Sequence, residues 1–187
     1  HAEIIKLETD KARSAYGVVA VYTGKELSEV CSPWVGVVTH LEGMRSPPQD
    51  VLAVDIVRWQ GEPVVAVVAQ TRAFAEDAIE LIEVQYKELP LAVDMKAALD
   101  ADAEVIHKDY DSNLCWERNV NVGDVKSAFA EADVVIEEEF QFGRHTGVTL
   151  ESRSIIADYD PGEEMLTLYQ STQAPHMKQA LFAKHLQ

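Results

Sequence analysis

Cysteine is scarce in this chain: Cys31 and Cys115 lie far apart and form no Cys-x-x-Cys pair. That argues against a disulfide framework or a structural zinc site and fits a reducing compartment, so a cytoplasmic location is expected. Cations are few as well, with 16 Lys plus Arg against 32 Asp plus Glu and a net charge of −16. Binding to a phosphate backbone needs clustered cations, which argues against nucleic acid as a partner. The acidity reads instead as a solvated surface. No apolar run approaches the roughly 20 residues that span a bilayer. A signal peptide is not seen, since "HAEIIKLETD" enters directly with strand-like residues. Position 1 is His rather than Met, so residue 1 is not expected to be where the gene product began. Ser/His/Asp patterns with a nucleophile elbow and phosphate loops are both missing, and "GRHTG" has the wrong spacing for a dinucleotide fingerprint. Internal repeats and low-complexity segments are missing too.

What is present is ordinary globular material. The 187 residues are 47% hydrophobic and 26% charged, enough for one ample core or two small ones. "GVVAVYTG" (17–24) is a glycine-bracketed β-rich run, and "KELSEV" after it suits a brief helix. "SPPQD" (46–50) breaks the chain, because two prolines remove donors and bias their predecessors to extended geometry. "VDIVRW" and "PVVAVVA" flank "QGE"; the continuous apolar run from Val64 to Ala69 predicts a strand covered on both faces. "TRAFAEDAIELIEV" places Phe74, Ala78, Leu81 and Ile82 on one helical stripe with Thr71 as N-cap. "VQYKELP" returns as a strand, completing a strand–helix–strand unit.

From His107 to Gly123 the texture turns polar and loses periodicity, which marks a domain boundary. "DVKSAFAEAD" predicts a second helix capped by Asp124, with Val125, Ala128, Phe129 and Ala132 on one side. "VVIEEEFQF" alternates as a strand does, with Ile136 and Phe140 facing one way and Glu137 and Glu139 the other. "SIIADYDPGEEMLTLYQ" predicts a hairpin with Pro161 and Gly162 at the centre of a type II turn. The last helix opens at Pro175, with Thr172 or Gln173 as cap. Its apolar residues, from Met177 to Leu186, cover more than one face, so protein is expected on several sides of it.

The candidate ligands and carboxylates each have a plainer reading. His176 and His185 are nine residues apart and, at about 100° per residue, point to opposite faces of one helix. His145 and Glu151 lie on a segment without a recognised ligand spacing. Surface or hydrogen-bonded histidines are the better account, and no metal-ligating residue is assigned. Glu137 and Glu139 share a face, and a solvated sheet accounts for them better than an acid/base pair. Glu151, in "VTLESR", reads as a buried structural carboxylate paired with an arginine. No catalytic residue is assigned.

Four stretches together, "GVVAVYTGKEL", "IVRWQGEPVVAVVAQTRAFAEDAIELIEVQY", "GDVKSAFAEADVVIEEEF" and "STQAPH", resemble one family in order and content. It is the molybdenum-binding large subunit of the xanthine dehydrogenase, aldehyde oxidase and carbon monoxide dehydrogenase group, and the similarity runs over nearly the whole chain. The resemblance implies an α+β architecture: an α/β hammerhead domain over 1–107, a linker over 108–122, and the first part of a molybdopterin-binding domain over 123–187. It implies molybdopterin as cofactor, with the cytosine dinucleotide form as an alternative. Iron–sulfur clusters and FAD are then expected on other domains or subunits. In the family the glutamine of the Thr-Gln step lies beside the molybdenum and donates to its oxo ligand, and Gln173 matches that position. A neutral amide donates without adding charge.

The reaction implied is hydroxylation of an activated carbon with oxygen drawn from water, on an N-heterocycle, an aldehyde or carbon monoxide. The partners implied are the remainder of the large subunit, iron–sulfur and flavin subunits and a small-molecule substrate. The family's Gly-Gly-Phe-Gly segment and its glutamate base are expected beyond Gln187. The chain therefore reads as an N-terminal fragment that is inactive alone. The rival reading is a non-enzymatic hammerhead module for assembly or interaction, against which "STQAPH" stands.

Overall fold

The computed structural model describes residues 1–36, 41–143 and 145–186. The chain divides into two compact units, His1–Glu117 joined by the chain end from Ala180, and Arg118–Gln179. Gln187 and Arg144 of "GRHTG" lie outside the described residues.

In the first unit, strand β1 (Ala2–Glu8) leads into a one-turn helix α1 (Asp10–Arg13). Then come β2 (Val18–Thr23), the short helix α2 (Gly24–Ser28), β3 (Ile56–Val57) and β4 (Val65–Ala69). Helix α3 (Arg72–Ile79) and β5 (Glu83–Glu88) complete it. The strands form two sheets, β3-β1-β5 and β2-β4, and every pairing is antiparallel. The strands on either side of α3 therefore belong to different sheets rather than to one parallel crossover. β4 pairs with β2 alone, and Val68 is 45% exposed. The apolar run from Val64 is thus not covered on both faces among the described residues: a two-stranded ribbon buries its inner face only.

The core is small and made of small residues. Ala12, Val21 and Ala78 are fully buried and are packed by Ala15, Val18, Val65, Val67 and Ile82. Val21 is 1% exposed. Backbones come close here, and two glycines are obligatory. A Cβ on Gly24 would lie 2.2 Å from the Ala53 carbonyl oxygen. Gly17 has φ +76° and faces the Phe74 ring, which stacks edge-on against Tyr16 at 5.1 Å.

Helix α3 starts where expected, the Thr71 hydroxyl accepting from Phe74 N at 3.3 Å. It ends earlier than the apolar stripe implies. Leu81 N and Ile82 N bond three residues back to the carbonyls of Ala78 and Ile79, so both residues lie in the turn that follows. Ile82 still reaches the core from there. Helix α2 carries a full capping box. Glu26 N bonds Thr23 Oγ1, while the Glu26 carboxylate accepts from Thr23 N at 2.7 Å and from Arg13 at 2.9 Å.

Residues 106–115 form no strand or helix, yet they are held. Asn113 bonds Ala98 O at 3.0 Å, Glu104 O at 2.9 Å and Ile106 N at 3.0 Å. The Arg45 guanidinium donates to Asp111, to Ser112 Oγ at 2.9 Å and to Leu114 O at 2.6 Å.

The second unit contains helix α4 (Val125–Glu131), capped by Asp124 as expected, with Ser127 N 3.0 Å from its carboxylate. It also contains the hairpin of β6 (Ile155–Asp160) and β7 (Met165–Gln170) and the start of helix α5 (Pro175–His185). "VVIEEEFQF" is no strand: a strand needs a ladder, and among the described residues nothing pairs with it. The hairpin turn also differs from the expected type II turn. Gly162 does not adopt a positive φ, and Glu164 does, at 50°. The Asp160 carboxylate accepts from Gly162 N at 2.8 Å and Glu163 N at 3.2 Å, so an Asx turn built on Asp160 sets the loop.

Truncating Val21→Ala is expected to cost about 2 kcal/mol, read from urea unfolding, because its methyls fill the centre of a small core. The Glu26 carboxyl is held below its ordinary value of 4.5 by the Thr23 amide first, then by the Thr23 hydroxyl and Arg13. A depressed folded pKa contributes stability that is complete above that ordinary value and is lost as pH falls through the folded one. Stability is therefore expected to fall below about pH 4.5 in part through this group. In Glu26→Gln that share of the acid slope should vanish.

Candidate functional site

The paired register of β6 and β7 runs from Asp160↔Met165 at the turn to Ile155↔Gln170 at the open end. Beyond that end the two flanks, 149–154 and 171–173, line a cleft of about 580 Å³. Thr149, Ser152, Arg153 and Ser154 come from one flank, Ser171, Thr172 and Gln173 from the other, and Lys178 from the second turn of α5.

The polar contacts here are local and directional. Ser171 Oγ donates to the Glu151 carboxylate, tying one flank to the other. Thr149 Oγ1 donates to Glu151 O at 2.7 Å. Thr172 Oγ1 accepts from Ala174 N at 3.1 Å, one residue before the helix begins. Neither Thr172 nor Gln173 caps the helix as expected: the Ala174 carbonyl accepts from Lys178 N at 3.0 Å, which puts Ala174 at the N-cap, and the Thr172 bond closes a turn before it. Gln173 is exposed, and its amide has no hydrogen-bond partner among the described residues. It is bracketed by two fixed neighbours and has its own donors free. Arg153 and Lys178 likewise have no ion-pair partner among the described residues.

Glu151 departs from its expected role. It is exposed and held by a serine rather than buried against an arginine. The contact joins residues twenty apart in sequence, and only the hairpin brings them together. Glu137 and Glu139 are exposed on an irregular segment. His145 Nδ1 lies 3.4 Å from Gly143 O, and His185 Nδ1 2.9 Å from Ser32 Oγ. Among the described residues no three His, Cys, Asp or Glu side chains converge as metal ligands. In the first unit a cavity of about 50 Å³ is lined by Arg58, Trp59, Glu62 and His107. Burial first, and then Arg58, hold His107 below the ordinary histidine value, so its ring is neutral near pH 7.

Residues 1–90 match the family described as "Aldehyde oxidase and xanthine dehydrogenase, a/b hammerhead domain", and residues 106–187 match "Molybdopterin cofactor-binding domain". The chain belongs to the molybdenum-binding large subunits of the xanthine dehydrogenase, aldehyde oxidase and carbon monoxide dehydrogenase family. These large subunits include the nicotine 6-hydroxylase large subunit of Paenarthrobacter nicotinovorans, 34% identical over 94% of this chain and 21% of that protein. The carbon monoxide dehydrogenase large chain of Afipia carboxidovorans is 32% identical over 95% of this chain and 23% of its own length. Among solved structures, quinoline 2-oxidoreductase from Pseudomonas putida 86 superposes with a TM-score of 0.91 at 30% identity. That match covers 99% of this chain and 23% of that one. The chain thus spans about a fifth of the length of these large subunits. The mixed α and β architecture, a hammerhead domain followed by molybdopterin-binding sequence, is the family's own. No helix among the described residues is long and apolar enough to cross a membrane.

Replacing Thr172 by Val keeps the side-chain shape and removes the acceptor for Ala174 N. The turn ahead of α5 is expected to lose about 1 kcal/mol, the scale of one hydrogen bond, seen as faster hydrogen exchange at the Ala174 amide.

Proposed function

We propose that this chain supplies the hammerhead domain (1–107), a linker (108–122) and the opening of the molybdopterin-binding domain (123–187) of a molybdenum hydroxylase large subunit. In this reading Gln173 donates its amide N–H to the oxo ligand of the molybdenum centre. The observation that carries it is the placement of Gln173: an unpartnered amide on the wall of a large cleft, its backbone held on both sides.

The donor set fits such a group. Hydroxyls of Ser152, Ser154 and Thr172, the Gln173 amide, Arg153 and Lys178 present N–H or O–H donors to an oxygen-rich, anionic ligand, while the Thr149 and Ser171 hydroxyls already donate to Glu151. Apart from Glu151, whose carboxylate accepts from Ser171, donors rather than thiolates or imidazoles line the cleft, which suits a metal whose ligands arrive with its own pterin. When bound, that group supplies the two-electron chemistry that places oxygen from water on an activated carbon. The chain's own residues orient it and add no negative charge at Gln173.

Of the three substrate classes the resemblance implies, an N-heterocycle is favoured by the names of two relatives, a nicotine hydroxylase and a quinoline oxidoreductase. Iron–sulfur and flavin subunits complete the proposed electron path, and the cytosine dinucleotide form of the cofactor is part of the proposal. Two free cysteines support a cytoplasmic setting. The second unit leaves Phe140 81% and Phe142 87% exposed, which supports further protein from the rest of a large subunit covering them. The 187-residue chain alone is accordingly inactive in this reading.

In the assembled holoenzyme, Gln173→Ala is expected to keep its molybdenum and pterin content and lose roughly 10–100-fold in kcat. That is the scale of one hydrogen bond to a strongly polar acceptor, about 1.5–3 kcal/mol. Turnover within twofold of wild type would remove Gln173 from the mechanism, and turnover by the isolated chain would overturn its dependence on the rest of the subunit.

A further inference from the structure

Among the described residues the Gln173 side chain has no partner, so something else must set where its amide points. The open end of the β6–β7 hairpin is the weak place. The ladder stops at Ile155↔Gln170, and beyond it neither flank has sheet partners among the described residues. Past the last pair of an antiparallel ladder no inter-strand backbone bond holds the two flanks together.

Among the described residues one hydrogen bond joins them. Ser171 follows the last paired residue of β7, and its Oγ donates to the Glu151 carboxylate on the opposite flank. Glu151 is fixed in turn, since its carbonyl accepts from Thr149 Oγ1 at 2.7 Å. On the far side of Gln173, Thr172 Oγ1 accepts from Ala174 N. The Ser171–Ala174 step is therefore clamped at both ends, and the Glu151–Ser171 bond is the only one of these contacts that crosses the cleft.

We propose that Glu151 is a positioning residue: its carboxylate, by holding Ser171, sets the backbone from which Gln173 reaches into the cleft. This rests on the reading of Gln173 given above. Glu151 touches no reacting atom in this account. Its charge serves the hydrogen bond, because an ionised carboxylate is a stronger acceptor for O–H than a neutral group. A glutamine side chain at 151 keeps a carbonyl oxygen in the same place, so the geometry predicts that Glu151→Gln retains most of the effect and Glu151→Ala does not.

The test uses the assembled holoenzyme with Glu151→Ala, Glu151→Gln, Gln173→Ala and the double variant Glu151→Ala/Gln173→Ala. Glu151→Ala is expected to keep its molybdenum and pterin, hold KM within about twofold and lose about tenfold in kcat, the scale of one mispositioned hydrogen bond. Glu151→Gln should recover to within about threefold of wild type. In the Gln173→Ala background, Glu151→Ala should add almost nothing, because the two residues act through one group. Hydrogen exchange gives a readout independent of turnover: the Ala174 amide should exchange faster in Glu151→Ala and stay protected in Glu151→Gln.

Three results would overturn the proposal. One is unchanged kcat and unchanged exchange in Glu151→Ala. Another is a kcat loss that adds in full to that of Gln173→Ala. The third is loss of molybdenum or pterin on substitution, which would make Glu151 part of the cofactor's binding. If Gln173→Ala alone leaves kcat unchanged, the reading of Gln173 falls and takes this role with it. Faster Ala174 exchange in Glu151→Ala then still separates that failure from absence of the tie.

Discussion

Antiparallel pairing between β6 and β7 is the constraint on which the candidate site depends. Six paired positions bring Ile155 opposite Gln170, and with them the two polar flanks that sequence keeps about twenty residues apart. Without that register Glu151 and Ser171 do not meet, and the Thr172–Gln173 step has no opposite wall. The turn that sets the register is held by the Asp160 side chain rather than by the backbone freedom of Gly162. A carboxylate accepting two successive amides fixes the loop in one geometry, and the pairing of the strands follows from it.

The first unit is organised differently. Its buried centre consists of alanines and valine, so it is held less by large apolar side chains than by close backbone approach and by polar anchors. Gly24 against Ala53, the capping box of α2 and the Arg45 and Asn113 networks each fix a piece of chain that forms no ladder. Residues 106–115 show the consequence. They overlap the stretch 108–122 that reads as a linker, yet the Asn113 and Arg45 side chains bind backbone carbonyls and an amide here as a sheet neighbour would.

Much of this was legible in the sequence where local chemistry decides. Thr71 and Asp124 cap helices because a hydroxyl or carboxylate placed before an apolar-periodic run meets the unbonded amides of the first turn. β2, β5 and the two strands of the final hairpin fall on runs that read as strands, although the turn joining the last two is not the expected type II. What failed needed a partner that local pattern does not contain. Leu81 and Ile82 continue the helical stripe but were claimed by the turn into β5, whose pairing with β1 begins at Glu83. "VVIEEEFQF" has a strand's alternation and, among the described residues, no strand beside it.

Family and cofactor class rest on the order of residue types along the chain, which sequence carries in full. The arrangement around Gln173 belongs to the fold. Glu151 reads in sequence as an acid near an arginine, and only the hairpin turns it toward Ser171 across an open cleft. The physical reason is range: caps and turns are settled within about four residues, whereas a contact across twenty exists only after the strands between have paired.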